Sequence, residues 1–174
     1  MDGRSEQALV SACRDGDKAA YGALVDRHYR QVLAICLGVL GNAHDAEDAT
    51  QEALVKGFER IGKLRTSERF GPWLARIAKN LSIDSLRRRS RVREVMAAQP
   101  APSRADGDEN HDLAEAVGRL PLELRVPLVM YYFDGRSAKR IAETLRISHR
   151  SACQRLRDAR TELHKLLTED GDVR

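Results

Sequence analysis

Three groups of polar side chains recur at spacings that place each group on one surface, and all three suit binding rather than bond-making. Asp45, Asp48 and Glu52 stand at steps of three and four, so a helix there carries an acidic face while Ala46, Ala49, Ala53 and Gly57 pack inward. Such a face docks a basic protein surface. Arg76, Asn80, Asp84 and Arg87 or Arg88 recur at nearly four-residue spacing, opposite a Leu74, Ile77 and Leu81 stripe. Five arginines between Ser85 and Arg93, with no acid among them, continue this face and suit a DNA backbone. After Ser148, the side chains of His149, Arg150, Gln154, Arg155, Arg157 and Arg160 can reach base edges and phosphates in a major groove. Taken singly, a charge run is most often only a solvated face, so the combination carries the weight.

Chemistry of other kinds finds no support. The sequence has no Ser/His/Asp arrangement, paired catalytic carboxylates or phosphate loop, and a non-enzymatic protein is expected. His149 and Cys153 lie four apart, but two ligands do not make a zinc site, so neither metal nor cofactor is expected. Cys36, in the apolar run from Val32 to Leu40, reads as a buried thiol, and Trp73 as a core anchor.

These groups must be held by helices. Within 174 residues, Ala, Leu and Arg abound, aromatics make up 5% and there are 5 prolines, a balance that favours an all-α fold. Asp15-Gly16-Asp17 reads as a helix stop and a new N-cap, and Gly41-Asn42 precedes a helix from about His44 to Ile61. Pro72 fits a first turn, and the helix it opens should run to about Arg89. From Val95 to Asn110 the composition turns to Ala, Pro, Gln, Ser, Gly and acids, which predicts a flexible linker. Pro121 then opens a helix that Phe133-Asp134-Gly135 closes. Ser137 and Ser148 cap two short helices separated by a tight turn, with Ala142, Ile147, Ala152 and Leu156 to pack the crossing, as a helix-turn-helix requires. Two small helical domains follow, at 1–94 and 112–174, joined by a linker over 95–111.

The net charge of +4 and pI near 9.1 say less than the uneven distribution of charge, which suggests two kinds of partner. Cys13, Cys36 and Cys153 are too few and scattered for a disulfide framework. With no apolar run near the roughly 20 residues of a bilayer span and no signal-type start, a cytoplasmic protein without membrane insertion is expected.

The segments Asp45-Ala46-Glu47-Asp48-Ala49-Thr50-Gln51-Glu52 and Trp73-Leu74-Ala75-Arg76-Ile77-Ala78-Lys79-Asn80-Leu81-Ser82-Ile83-Asp84-Ser85-Leu86-Arg87-Arg88 together closely resemble the conserved second region of the extracytoplasmic function sigma factors. The helix-turn-helix falls where that family's fourth region should. The resemblance implies promoter-specific transcription initiation. Asp45, Asp48, Gln51 and Glu52 would dock on the clamp helices of the largest RNA polymerase subunit, with the flap of the second-largest subunit as a further contact. Arg76, Lys79, Asn80, Asp84, Arg87 and Arg88 would face the minus-ten element, and the loop from Gly62 to Arg69, with Lys63, Arg65 and Arg69, would hold a flipped base. Ser148, His149, Arg150, Ser151, Gln154, Arg155, Arg157 and Arg160 would read the minus-thirty-five element. An anti-sigma partner is also implied. Lys139 and Arg140 stand where members usually carry acids, Arg146 where the turn usually has Gly, and Cys153 where a basic or polar residue is common; these bear on which minus-thirty-five sequence is read. The rival readings are a free-standing helix-turn-helix regulator and a module that sequesters a partner through its acidic helix.

Overall fold

The computed structural model describes residues 3–64, 70–95 and 109–171, and its regular elements are all helical. They are α1 (Glu6–Arg14), α2 (Lys18–Leu40), α3 (Ala43–Arg60), α4 (Phe70–Val95), α5 (Glu109–Arg119), α6 (Leu122–Tyr132), α7 (Ala138–Leu145) and α8 (His149–Gly171), with a 3-10 turn at Ile61–Lys63. The local punctuation acts as its chemistry dictates. Asp17 accepts from the N–H groups of Ala19 and Ala20 at 2.9 and 3.1 Å, satisfying two orphan donors of α2. Gly41, at φ 78°, ends α2, and Asn42 immediately caps α3 through the Asp45 N–H. Helix α4 runs on to Val95, past the expected end at Arg89, because arginine is a good helix former and nothing in the run breaks a helix. The expected linker is shortened accordingly, since Val95 closes α4 and Glu109 and Asn110 open α5. Its remainder lies outside the described residues.

Helix α2 is the hub of the first domain, packing against α1, α3 and α4. It contributes Leu24, Val32, Ile35 and Val39 to a core that also holds Leu9 and Val10 of α1 and Phe70, Trp73 and Leu74 of α4. Helix α3 meets this core with small side chains, as its spacing predicts: Ala46, Ala49, Ala53 and Gly57 are all buried. At Gly57 a Cβ would lie 2.8 Å from both a Leu74 methyl and the Tyr21 hydroxyl, so any larger residue there would force those two side chains to shift. Tyr21 donates to the Leu54 carbonyl at 2.5 Å, and burial pushes its pKa up. Cys36 is fully buried as expected, and burial raises its thiol pKa against the opposing influence of the Ser82 and Thr50 hydroxyls.

In the second domain α7, a tight turn and α8 form the helix-turn-helix. Ser137 accepts from the Arg140 N–H and Ser148 from the Ser151 N–H, so both caps are made where the sequence places them. Arg146 occupies the left-handed region at φ 56° and ψ 45°, its N–H bonded to the Ala142 carbonyl. The turn thus keeps the shape that usually takes glycine, and the strain of a non-glycine residue is tolerated.

The two domains share a core instead of standing apart. Val126, Met130, Ile141, Ala142, Ala152 and Leu156 belong to the same cluster as the first-domain core, while Leu120, Leu128 and Ala159 form a smaller one. Helix α6 lies along α2, and α7 touches α4. Gln31 of α2 donates to the Thr144 hydroxyl at 3.1 Å, and Arg30 donates to the Phe133 carbonyl at 2.9 Å.

Replacing Arg146 with glycine should raise stability. The left-handed penalty removed is about 1–2 kcal/mol, and the greater freedom of an unfolded glycine takes back about 0.4–1 kcal/mol. A net gain of about 0.5–1 kcal/mol is expected in denaturant melts, and a loss of stability would show that the turn carries no strain.

Candidate nucleic-acid interface

The burial pattern of α4 separates its faces. Leu74, Ala75, Ala78 and Ser82 are buried, and the Ser82 hydroxyl bonds back to the Ala78 carbonyl at 2.9 Å. Arg76, Lys79, Asn80, Asp84, Arg87 and Arg88 are all exposed, so the predicted basic face forms. Arg87 approaches Asp84 only to 4.0 Å, with both side chains largely in solvent, and so retains its charge for a partner. Lys63 is exposed at the end of the 3-10 turn. Arg65 and Arg69 lie outside the described residues.

On α3, Asp48, Gln51 and Glu52 are exposed together, with Glu52 paired to Lys56 at 2.6 Å. Asp45 behaves differently. It is half-buried and accepts from Asn42 and from the Arg89 guanidinium of α4, tying the acidic helix to the basic one. Burial works to raise its pKa, but the hydrogen bonds from Asn42 and Arg89 win and hold the carboxyl below its ordinary value. Sequence reasoning missed two apolar residues beside this face: Val55 and Phe58 are 58% and 40% exposed, and Phe58 meets the Tyr21 ring edge-on at 5.0 Å. Large apolar side chains one and two turns beyond Gln51 and Glu52, on the acidic helix, were the available signal.

On α8, His149, Arg150, Gln154, Arg157 and Arg160 are exposed and Ser151 and Arg155 half-buried. Several already have intramolecular duties. Ser148 caps the helix, its hydroxyl 2.8 Å from that of Ser151. Gln154 donates to Asp158 at 2.7 Å and accepts from Arg157 at 3.2 Å. Arg160 donates to the Tyr132 hydroxyl at 3.2 Å and stacks over the Tyr131 and Tyr132 rings at 5.1 and 5.8 Å. Cys153 lies 3.6 Å from the His149 Nε2, and no cluster of metal-ligand type occurs among the described residues. Sequence reasoning also missed Arg14, which donates to the Leu64 carbonyl, and Arg125, buried between the domains.

Comparison with known proteins agrees with this geometry. Residues 24–92 match sigma-70 region 2, and residues 110–163 match sigma-70 region 4. The ECF RNA polymerase sigma factor SigM of Mycobacterium tuberculosis is 30% identical, over 94% of this chain and 85% of that one. A Xanthomonas campestris protein described as a probable RNA polymerase sigma factor, RfaY, is 31% identical over 91% of this chain, which spans 43% of that longer protein. Among solved structures, CnrH in complex with the cytosolic domain of CnrY superposes with a TM-score of 0.68 at 26% identity, covering 95% of this chain and 98% of that one.

The Asp45 contacts predict an acid dependence. A carboxylate whose folded pKa is depressed contributes stability above its unfolded value, near 3.8, and that contribution is lost as pH falls through the folded pKa. Asp45→Asn should therefore flatten stability against pH below about 4. At neutral pH it should cost under about 1 kcal/mol, because Arg89 is half in solvent. Urea melts at pH 7 and pH 3.5 that shift equally in mutant and parent would exclude the pair as the cause.

Proposed function

We propose a division of labour among these surfaces from the premise that the chain belongs to the extracytoplasmic function sigma factors, carrying sigma-70 regions 2 and 4 in order. It is a transcription initiation factor and not an enzyme: it binds RNA polymerase core and directs it to promoters. The first domain, about residues 1–94, docks on the polymerase clamp helices through Asp48, Gln51 and Glu52, with Val55 and Phe58 as the apolar end of the same face and Asp45 fixing the helix to α4. Arg76, Lys79, Asn80, Asp84, Arg87 and Arg88 track the minus-ten element, and the loop after Lys63 holds an extruded base. Extrusion costs a few kcal/mol of stacking, so a pocket that returns this energy for one base makes opening sequence-selective. The second domain, from about residue 112, reads the minus-thirty-five element as duplex through the exposed start of α8.

The observation that carries this reading is the placement of an exposed acidic face and an exposed basic face on adjacent, mutually packed helices of one domain, with a helix-turn-helix in the other. A free-standing regulator has no use for the first domain. No helix among the described residues is long and apolar enough to cross a membrane, and the factor acts where the polymerase is, in the cytoplasm. An anti-sigma protein is the expected inhibitor, a reading supported by the capture of CnrH with a cytosolic domain of a second protein.

Purified core polymerase plus this protein should transcribe a defined subset of a random promoter library, and no selection above core alone would end the sigma reading. Asp48→Arg with Glu52→Arg should abolish core pull-down with helicity unchanged, since exposed charges contribute little to the fold but like charges across an interface are costly. On isolated duplexes, Arg150→Ala should lose about 1–3 kcal/mol for cognate DNA and much less for scrambled DNA. Equal losses on both would make Arg150 a backbone clamp.

A further inference from the structure

Helix α1 carries none of the surfaces assigned above, yet its two ends reach the places where the chain leaves the 3-10 turn and where it enters α4. Leu9, Val10 and Cys13 seat its inner side in the first-domain core. Beyond its last turn the Asp17 N–H bonds the Ala12 carbonyl at 2.9 Å, and Arg4 donates to the Asp17 carboxylate at 3.2 Å. From the C-terminal end of α1 the Arg14 guanidinium donates to the Leu64 carbonyl, and the helix packs against the 3-10 turn. Leu64 is itself buried and leaves that turn extended, at φ −68° and ψ 118°, with its N–H on the Ile61 carbonyl at 3.1 Å. At the N-terminal end the Glu6 carboxylate lies 2.7 Å from the His28 Nε2, and the other ring nitrogen faces the Gln31 amide oxygen at 3.4 Å. The ring so held meets Phe70, fully buried, edge-on at 5.3 Å. A Cβ at Gly71 would lie 2.9 Å from the His28 Cε1, so the imidazole presses directly on the first turn of α4.

We propose that α1 is a brace for minus-ten selectivity, in which Arg14, and Glu6 acting through His28, are positioning residues that fix Leu64 and Phe70 relative to each other. The inference rests on the reading in which the segment between those two residues holds the extruded base. Glu6 and Arg14 stand eight residues apart, about 12 Å along a helix axis, so one rigid element holds both positions. Fixing both ends of a short segment removes much of its conformational freedom before a base arrives. A pocket mounted in this way cannot re-pack around a wrong base, whereas a loosened one adapts to several. The brace therefore acts on discrimination more than on binding. Arg14 is exposed and Glu6 half-buried, so truncating either opens no cavity in the core. Because the acceptor for Arg14 is a backbone carbonyl, its bond forms whatever side chains follow Leu64. The segment can thus vary in sequence, and in the base it prefers, on an unchanged mount.

The test uses the full chain with core polymerase and a promoter library randomised through the minus-ten element. Arg14→Ala and Glu6→Ala should each flatten the preference at the extruded base by about three- to tenfold, with core pull-down, helicity and the minus-thirty-five preference unchanged. Arg14→Lys, which keeps a long cationic donor for the Leu64 carbonyl, should retain most of the wild-type preference. Replacing residues 65–69 with glycine and serine should abolish it. If that replacement leaves the profile unchanged, the base-holding reading falls and the brace with it. If the replacement abolishes the preference while Arg14→Ala and Glu6→Ala keep the wild-type profile, the brace alone falls. Equal losses at every minus-ten sequence would also overturn it, by making both residues supports of the fold and nothing more.

Discussion

Both charged faces of the first domain point where they do because α3 approaches α2 and α4 so closely. Ala46, Ala49, Ala53 and Gly57 give α3 almost no relief on its inner side, so its axis sits deep in the groove between its neighbours. Rotating the helix by one residue would bring a side chain of ordinary size against Leu74 and Tyr21. The acidic face is thereby held outward by exclusion, more than by any attraction of its own. The same packing turns the arginines of α4 to solvent, and the Asp45 to Arg89 contact joins the two surfaces along one edge. The acidic and the basic face are thus two sides of one three-helix wedge.

Much of this was legible because the signals are local. A glycine followed by an asparagine at 41 and 42, or a serine three residues before an amide that needs an acceptor, settles a helix end within a few residues of chain. The alternation of small and acidic residues over 45–57 fixed both the inner and outer faces of α3. What escaped was long-range. Arg125 sits at the same phase as Leu122, Leu128 and Val129, a position that a local pattern assigns to the core. Only the free carbonyls of α2, more than eighty residues away in sequence, explain a charge there. The neighbours of Arg160 were equally out of reach of a local pattern: Tyr131 and Tyr132 are brought beside this exposed residue by the packing of α6 on α8.

In the proposed function, the start of α8 would be a reading surface built from residues that also serve the fold. Ser148 and Ser151 close the helix end, and Gln154 is held by Asp158 and Arg157. These bonds fix side-chain rotamers before DNA arrives, which lowers the entropy lost on binding. On that proposal, a bound base would have to offer Gln154 more than Asp158 already does.

The interior position of Cys36 gives the molecule a chemical reporter of its own motions. A thiol with no solvent exposure and a raised pKa cannot be alkylated in the folded state, so its modification rate counts the moments when α2, α3 and α4 part. Cys153, half-exposed on α8, reacts without that step. The ratio of the two rates thus measures the free energy of opening the first domain's core, in the intact protein and without an added label.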